Sequence, residues 1–476
     1  MTKNVTILGA GITGVSLGSY LSDKKYDVSI IEKTQSVGGM AKSFKYKKNI
    51  LDFGPHKIYS QIPHIIEEFH KIAKPKKLLR VKKRNSLFLL GKMFDFPVQI
   101  FQIVLSINPF KSLSLGIGFA WTTFKNFFSR AKPKTYEQYF IKGFGKPAYK
   151  LIFKGTAEKV WGPPTRLSEE LGRKRVPVPN VLEMLGSGKG KDSQGRELSA
   201  KYFFYPEEGG IGFVSEQFKK NIQKNKGKIN TDSTIAQIKT KKNKVESVIY
   251  KKNGRKITQK TDFLASTIYL TDLLSTMSPK PPKYVMEAAN NLKYRGLILV
   301  YLIVNKPKVM KDNWVFFPER EYIFSRVSEH NSFSPNMVEE GKAILTAEIP
   351  ADPNGLLFNS DPEYHYRRVI EDLEKTGIVQ EKDIEEFVVR KAKRVYPVYD
   401  TRYRRNLKVV LSYLDSFDNL ITLGRQGLYN YNNTDHCIDM SKKATFHIDR
   451  YFKVSSVKIE EWRKMRRYFN SYRIVD

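Results

Sequence analysis

The sequence predicts an α/β fold built on a Rossmann-type dinucleotide-binding domain, and three observations carry that expectation. An apolar run, Val5 to Leu8, leads directly into Gly9-Ala10-Gly11-Ile12-Thr13-Gly14, which fits G-x-G-x-x-G. Residues Val15 to Ser22 follow with helical spacing. Tyr26 to Ile31 then read as a second strand that ends at the acid Glu32. Together these parts form a βαβ unit of about 30 residues, the length such a site requires.

Each part has a physical task. Gly9 permits the tight turn, Gly11 lets a pyrophosphate approach the backbone, and Gly14 lets the helix pack closely on the strand. The helix N-terminus presents free N–H groups, from Ile12 and Thr13 onward, and a positive dipole end to phosphate. Glu32, 18 residues after Gly14, is placed to accept hydrogen bonds from ribose hydroxyls, with Lys33 beside it. Gly38-Gly39-Met40-Ala41 follows, then Gly54-Pro55-His56. A glycine pair directly after the second strand suits a longer dinucleotide, whose pyrophosphate and ribityl chain the polypeptide must run back along. That selects FAD over NAD.

These residues resemble a known family. The pattern E-K-x₄-G-G-M-A-x-S followed by D-F-G-P-H is similar to the flavoprotein superfamily of amine oxidases, protoporphyrinogen oxidases, phytoene desaturases and UDP-galactopyranose mutases. One departure stands out: many members carry a basic residue just before the glycine pair, and this chain has Ser36-Val37. The segments 157–178 (AEKVWGPP…), 205–218 (YPEEGGIGF…), 324–337 (FSRVSEHNS…) and 394–403 (RVYPVYDTRY) resemble further family segments in the same order. So does GRQGLYNYNNTDHCIDM near the C-terminus, which is similar to the family's C-terminal flavin motif. The likeness runs from residue 4 to about 445.

The resemblance implies a GR2-like flavoprotein: a Rossmann-type FAD-binding domain with a discontinuous α+β substrate-binding domain. The FAD domain is expected to take residues 1–75, 205–275 and 385–450, and the substrate domain 76–204 and 276–384. Alternating strands in 234–267, with a turn at Lys252-Asn253-Gly254, support the middle piece, and 295–306 read as a strongly apolar strand. By the same resemblance Gly424 and Arg425 lie near the ribityl phosphate. Asn433, Asp435 and His436 belong to the start of a helix whose N–H groups face the isoalloxazine O2/N1 edge, with Thr434 or Asp435 as its N-cap.

Composition bounds the rest. The 476 residues carry a net charge of +35, but the Lys- and Asn-rich composition weakens that as a functional signal, and no nucleic-acid partner is expected. Cys437 stands alone, so no intramolecular disulfide and no cysteine-based zinc site can form. A covalent flavin link through Cys437 lacks its surrounding signature, and a small buried thiol is the expectation. The seven histidines form no HxH or HxxxH pair, so no metal is expected.

The sequence carries no secretory signal, and the expected location is cytoplasmic, peripheral at the inner membrane surface at most. Residues 98–121 read as two short helices around an Asn-Pro turn, either buried or laid on a membrane. The basic tail, 451–476, has an apolar stripe at Val457, Ile459, Trp462, Met465 and Tyr468. It suits a peripheral membrane helix or a helix packed on its own protein. The basic stretch 186–198 is rich in glycine and lysine but lacks G-x₄-G-K-[ST], so it reads as a mobile loop and not a phosphate loop.

The expected activity is that of a FAD-dependent oxidoreductase of the amine-oxidase type, with hydride passing from substrate to flavin N5. The alternative is a UDP-galactopyranose-mutase-like enzyme, in which reduced flavin N5 adds to an anomeric carbon of a nucleotide sugar with no net redox change. Gly54-Pro55-His56 and Lys159-Val160-Trp161-Gly162 favour the mutases, whereas Pro179, where they hold a diphosphate with arginine, does not. Nor is a tyrosine-rich uracil-binding segment recognisable in 180–205. Pocket candidates are His56, Trp161, Tyr205, Arg326, Tyr396 and Tyr399, and no catalytic base is assigned. A non-enzymatic binding protein with a vestigial nucleotide fold is disfavoured by the intact glycines, Glu32 and C-terminal motif.

Overall fold

The computed structural model describes residues 2–96, 100–129, 131–175, 200–454, 459–472 and 474. The loop 186–198 and Pro179 lie outside the described residues.

β1 (Asn4–Leu8), α1 (Ile12–Asp23) and β2 (Asp27–Ile31) form the expected βαβ unit. Both strands are almost wholly buried, as apolar strands of a covered parallel sheet must be. Three strands from distant parts of the chain join them. The sheet order is Leu420–Thr422, Phe263–Ser266, β1, β2, Lys228–Asn230, and every pairing is parallel. The strand Leu420–Thr422 delivers the C-terminal motif to the carboxyl ends of these strands, where open α/β sheets bind ligands. Helix Thr434–Lys453 then lies along α1. The contact uses small residues: the Ser16 and Ser441 hydroxyls are 2.8 Å apart, and Ser441 donates to Thr13 O at 2.9 Å. Side chains at a helix crossing set the interaxial distance, so serines allow a close one.

A second sheet has seven strands in the order 384–397, 294–304, 343–351, 326–329, 314–316, 85–89, 92–95. Its second strand, Tyr294–Val304, reads as an unbroken apolar run from Leu297 onward because both faces are covered. Ile298, Val300, Leu302 and Val304 face a cluster with Val369 and Leu373 of helix Pro362–Thr376. Leu297, Leu299, Tyr301 and Ile303 face Leu51, with Met40 and Phe44 packed beside them. That alternation is the two-residue period of a strand. The strand Ile384–Pro397 pairs with Tyr294–Val304, so the start of the 385–450 segment belongs to this sheet and not to the parallel one.

One expectation about helices is corrected. The Asn-Pro turn at 108–109 separates a short helix, Ile100–Ser106, from one of 20 residues, Pro109–Phe128, instead of two short ones. Asn108 caps the longer helix by accepting from Phe110 N at 2.9 Å, with proline at its first position. In the tail, helix Ile459–Asn470 buries Trp462 and Phe469 completely, and Arg463 and Arg466 pair with Asp415. Trp462 of its apolar stripe therefore packs on its own chain while Tyr468 is exposed, and Val457 lies outside the described residues.

Two core histidines make the fold acid-labile. His330, whose Nε2 lies 2.7 Å from Thr346 Oγ1, and His447, beside Trp462, are both pushed down to about 4 by burial. An unfolded histidine titrates near ~6.5, so between those values the unfolded chain binds more protons and stability falls as pH falls. Each histidine contributes roughly 3 kcal/mol once the window is crossed. Asp52, pushed up to about 6 by burial, acts in the opposite sense, because its folded form keeps a proton that the unfolded chain releases. Two histidines outweigh one acid. The Tm is expected to fall between about pH 6.5 and 4, and His447→Gln to flatten that slope; an equally steep slope in the variant would refute the assignment.

Candidate functional site

The glycine turn is crowded everywhere except at one point. Gly9 has φ +91°, and a Cβ there would lie 2.6 Å from Thr267 Oγ1. A Cβ on Gly14 would lie 1.9 Å from Gly9 O. Gly11 differs: nothing lies within 4 Å of the position its Cβ would take. Gly38 N–H donates to Ala10 O at 2.7 Å, which brings the glycine pair against the turn. A Cβ on Gly39, itself at φ +62°, would sit 3.2 Å from Gly11 Cα. Glu32 Oε2 accepts from Ala10 N–H at 2.7 Å and Oε1 from Thr34 N–H at 2.8 Å. Two carboxylate oxygens have about four acceptor sites, so capacity for hydroxyls remains. Lys33 is exposed, Met40 is half-buried and Ala41 is buried.

The second and fourth sequence segments are bolted together through Asp52. Its carboxylate accepts from the Tyr205 hydroxyl, from Ser43 Oγ at 2.5 Å and from Ile211 N–H at 3.2 Å. A Cβ on Gly210 would come within 2.6 Å of Asp52 Oδ1, which explains the glycine pair at 209–210. Tyr205 is thus a fully buried core residue packed on Phe333 and not a pocket wall. Tyr399 departs from expectation in the same way. It is buried, donates to Tyr429 O at 3.1 Å, and stacks on Tyr403 with ring centroids 4.0 Å apart.

The other candidates converge. His56 Nδ1 lies 3.0 Å from Gly54 O, so Nδ1 carries the proton and Nε2 the lone pair. Burial, together with the charges of Arg326 and Arg425, pushes its pKa down to about 4, leaving it neutral at pH 7. Arg326 grips Glu348 in a two-pronged pair, Nε–Oε1 2.7 Å and Nη2–Oε2 2.9 Å, and Glu348 is only 2 % exposed. A Cβ on Gly54 would sit 3.4 Å from that carboxylate, while Pro55, next along, is half-buried. Tyr396 is influenced by Glu348, Arg326, Arg425 and Arg175, although burial is the main cause of its raised pKa. The Arg425 guanidinium lies 5.5 Å from the Tyr396 ring and 5.2 Å from that of Tyr431. Arg175 stands 4.8 Å from the Tyr431 ring and 5.5 Å from that of Trp161, whose Nε1–H donates to the Tyr431 hydroxyl at 2.6 Å. Arg175 and Arg425 thus flank the Tyr431 ring, and the Arg326–Glu348 pair lies close enough to Tyr396 to act on it electrostatically.

The C-terminal motif packs against the glycine turn. Gly424, at φ +81°, approaches Thr13 so closely that a Cβ would lie 2.7 Å from Thr13 Oγ1. Arg425 Nη1 donates to Asn432 O at 3.2 Å and Nε to Val395 O at 3.3 Å. The N-cap of the following helix is Asn433, in place of the expected Thr434 or Asp435, and His436 Nδ1 accepts from Asn433 N–H at 3.1 Å. His436 also stacks on Tyr472 at 4.5 Å. Its ring is therefore occupied in capping and packing. Buried acceptors without a partner remain at Asn432 Oδ1 and Asp435 Oδ1. Cys437 is buried, and its thiol is pushed up to about 11 by burial, as befits an inert thiol.

Comparison with known proteins agrees with this geometry. The profile of the NAD(P)-binding Rossmann-like domain matches residues 7–71. Probable UDP-galactopyranose mutase of Klebsiella pneumoniae is 27 % identical over 182 residues, 37 % of this chain and 45 % of the mutase. Coproporphyrinogen III oxidase of Staphylococcus aureus is 29 % identical over 119 residues, 24 % of this chain and 26 % of that enzyme. The matches thus span less than half the length of these curated relatives. Reduced UDP-galactopyranose mutase superimposes with a TM-score of 0.79 over 94 % of each chain, at 18 % identity. A putrescine oxidase variant does so with a TM-score of 0.63 over 94 % of this chain and 99 % of its own, at 13 % identity. At such identities the likeness is one of fold. The chain carries an NAD(P)-binding Rossmann-like domain and shares the fold of the FAD-dependent amine-oxidase-like flavoprotein superfamily.

FAD is the cofactor of this superfamily, and the residues present fit it. The space above Gly11 admits a pyrophosphate, and the unpartnered acceptors beside the Asn433-capped helix mark a polar cradle that protein atoms leave unfilled. Lys42 is a candidate for the missing basic residue of the flavoprotein pattern. Its Nζ lies 3.2 Å from Ser36 Oγ, the position that many members fill with a cation. Burial lowers its pKa, and Glu32 opposes that shift. Lys42→Ala is expected to weaken FAD binding by roughly tenfold, about the worth of one charge-assisted contact, with Tm of the apoprotein unchanged. Flavin fluorescence titration checks it, and equal affinity in wild type and variant would rule the role out.

Several of these residues escaped sequence reasoning. Glu348 sits in an apolar strand, AILTAEIPA, and a single acid among fully buried neighbours was its one signal. Asp52, Lys42 and Tyr431 lay inside quoted motifs without being singled out. Lys159, in the EKVWG segment, proves structural: its Nζ donates to the carbonyls of Phe317, Glu319, Tyr322 and Phe324 at 2.5–3.3 Å.

Proposed function

We propose that this flavoprotein acts on an anionic, phosphate-bearing substrate, a nucleotide sugar, and isomerises it without net oxidation. One observation supports the reading: Arg175 and Arg425 flank the Tyr431 ring, and Arg175, Arg326 and Arg425 together with the Glu348 carboxylate act electrostatically on Tyr396. Guanidinium groups recognise phosphate through paired, charge-assisted hydrogen bonds. A substrate ammonium would meet three like charges there, so an amine is the poorer fit. Trp161 and Tyr431 offer flat faces on which a nucleobase or sugar can stack. FAD, when bound, supplies either a nucleophilic N5 in its reduced form or a hydride acceptor in its oxidised form. His56, neutral with Nε2 free of its proton, is the group able to take up a proton transiently beside Gly54.

A second reading keeps the anion and changes the chemistry: oxidation of a polyanionic substrate on the same arginines. A single experiment separates the two. Purified holoprotein is reduced with dithionite, given UDP-galactose anaerobically, and the nucleotide sugars are resolved by chromatography. A new isomer that forms with reduced protein and not with oxidised protein supports isomerisation. If no isomer forms, and an amine instead bleaches the oxidised flavin, the proposal is wrong in both substrate and reaction.

A further inference from the structure

We propose that helix Pro109–Phe128 is a membrane-docking element that lays its outer face into the headgroup region of an anionic bilayer. Phe110, Leu113, Ile117, Trp121, Phe124 and Phe128 are 58–82 % exposed and recur at three- and four-residue intervals, so they form one continuous stripe. No side chain of this helix is buried. Its opposite face is pinned to the protein: a Cβ on Gly118 would lie 2.5 Å from Pro147, and Asn126 Nδ2 donates to Lys142 O at 2.7 Å. The stripe is thus held outward on a fixed support. Contiguous exposed apolar surface on a folded protein marks a binding face.

Charge identifies the occupant. Between Asp95 and Glu137 the sequence has no acidic residue, but it has Lys111, Lys125, Arg130, Lys132 and Lys134. A second copy of this chain docking through the same segment would bring the same cations and no carboxylate to this patch. Anionic lipid headgroups supply the missing charge, and the acyl boundary takes the aromatic stripe. Among the described residues no helix is long and apolar enough to cross a membrane, so the helix lies in the plane of the surface. The basic tail is not this element, because Trp462 and Phe469 are buried against the protein's own core. This inference stands independently of the substrate proposed above.

The test is flotation of full-length holoprotein with phosphatidylcholine vesicles and with vesicles containing phosphatidylglycerol, at low and high salt. Wild type is expected to float with the anionic vesicles, on the order of tenfold better than with the neutral ones, and to release partly at high salt. Trp121→Ser/Phe124→Ser/Phe128→Ser is expected to abolish flotation with flavin content and Tm intact, since these side chains face solvent. Lys111→Gln/Lys125→Gln is expected to lose the preference for anionic lipid, whereas Lys464→Gln/Arg467→Gln in the tail should float like wild type. Three results would each overturn the proposal: no flotation of wild type, undiminished flotation of the triple variant, or concentration-dependent dimerisation that the triple variant removes while flotation persists.

Discussion

Gly11→Ala is expected to leave the apoprotein as stable as wild type and to weaken FAD binding by at least roughly a hundredfold, whereas Gly14→Ala is expected to lose both fold stability and flavin. The two glycines belong to one motif, yet their surroundings differ completely. A methyl on Gly14 would overlap Gly9 O at 1.9 Å, a backbone atom that cannot move without opening the turn. Overpacking of that kind typically costs ~1–3 kcal/mol and more where backbone must shift. A methyl on Gly11 meets no protein atom within 4 Å, and its φ of −62° is open to any residue. The one thing it can obstruct is a ligand. Thermal denaturation of both apoproteins, paired with flavin titration, reads the two effects separately. Normal FAD affinity in Gly11→Ala would sink the assignment of this space to the pyrophosphate.

Arg326→Ala should be the most damaging change in the substrate cleft. It strands the Glu348 carboxylate, 2 % exposed and gripped at 2.7 and 2.9 Å, without its cation. Breaking a buried pair from one side costs ~3–5 kcal/mol, because an uncompensated charge remains. Glu348→Gln probes the same pair with the opposite sign. It removes a negative charge from a cleft holding three guanidinium groups, so UDP should bind more tightly to the variant, by roughly three- to tenfold for a partly screened contact. A cationic amine should bind more weakly. Calorimetric titration with UDP and with a diamine decides the point: weaker UDP binding in Glu348→Gln would contradict an anion-binding cleft.

Much of the cofactor half was legible because nucleotide binding imposes local rules. Gly9, Gly11, Gly14 and Glu32 are spaced along one short stretch, where turn, helix start and strand end follow each other directly. The C-terminal cap illustrates where such reading stops. Asn433, Thr434 and Asp435 are all competent caps by type, and the choice fell to Asn433 because His436 could close a reciprocal bond from three residues on. Likewise a tyrosine looks the same in sequence whether it lines a cleft or fills a core. Tyr396 lies near Arg425, and Tyr399, three residues later, is buried on Tyr403.

By itself, then, the amino-acid sequence determined the βαβ unit, its glycine turn and the likeness to a flavoprotein fold, since each rests on short-range spacing and backbone chemistry. Tertiary structure alone decided which distant groups meet. It brought Asp52 to Tyr205, Lys42 to Ser36, Glu348 to Arg326, and both Arg175 and Arg425 to the Tyr431 ring. It also buried Trp462 of the tail while leaving the stripe of Pro109–Phe128 in the open. Apolar periodicity specifies that a helix has a face to cover; only the packed chain determines whether protein covers it.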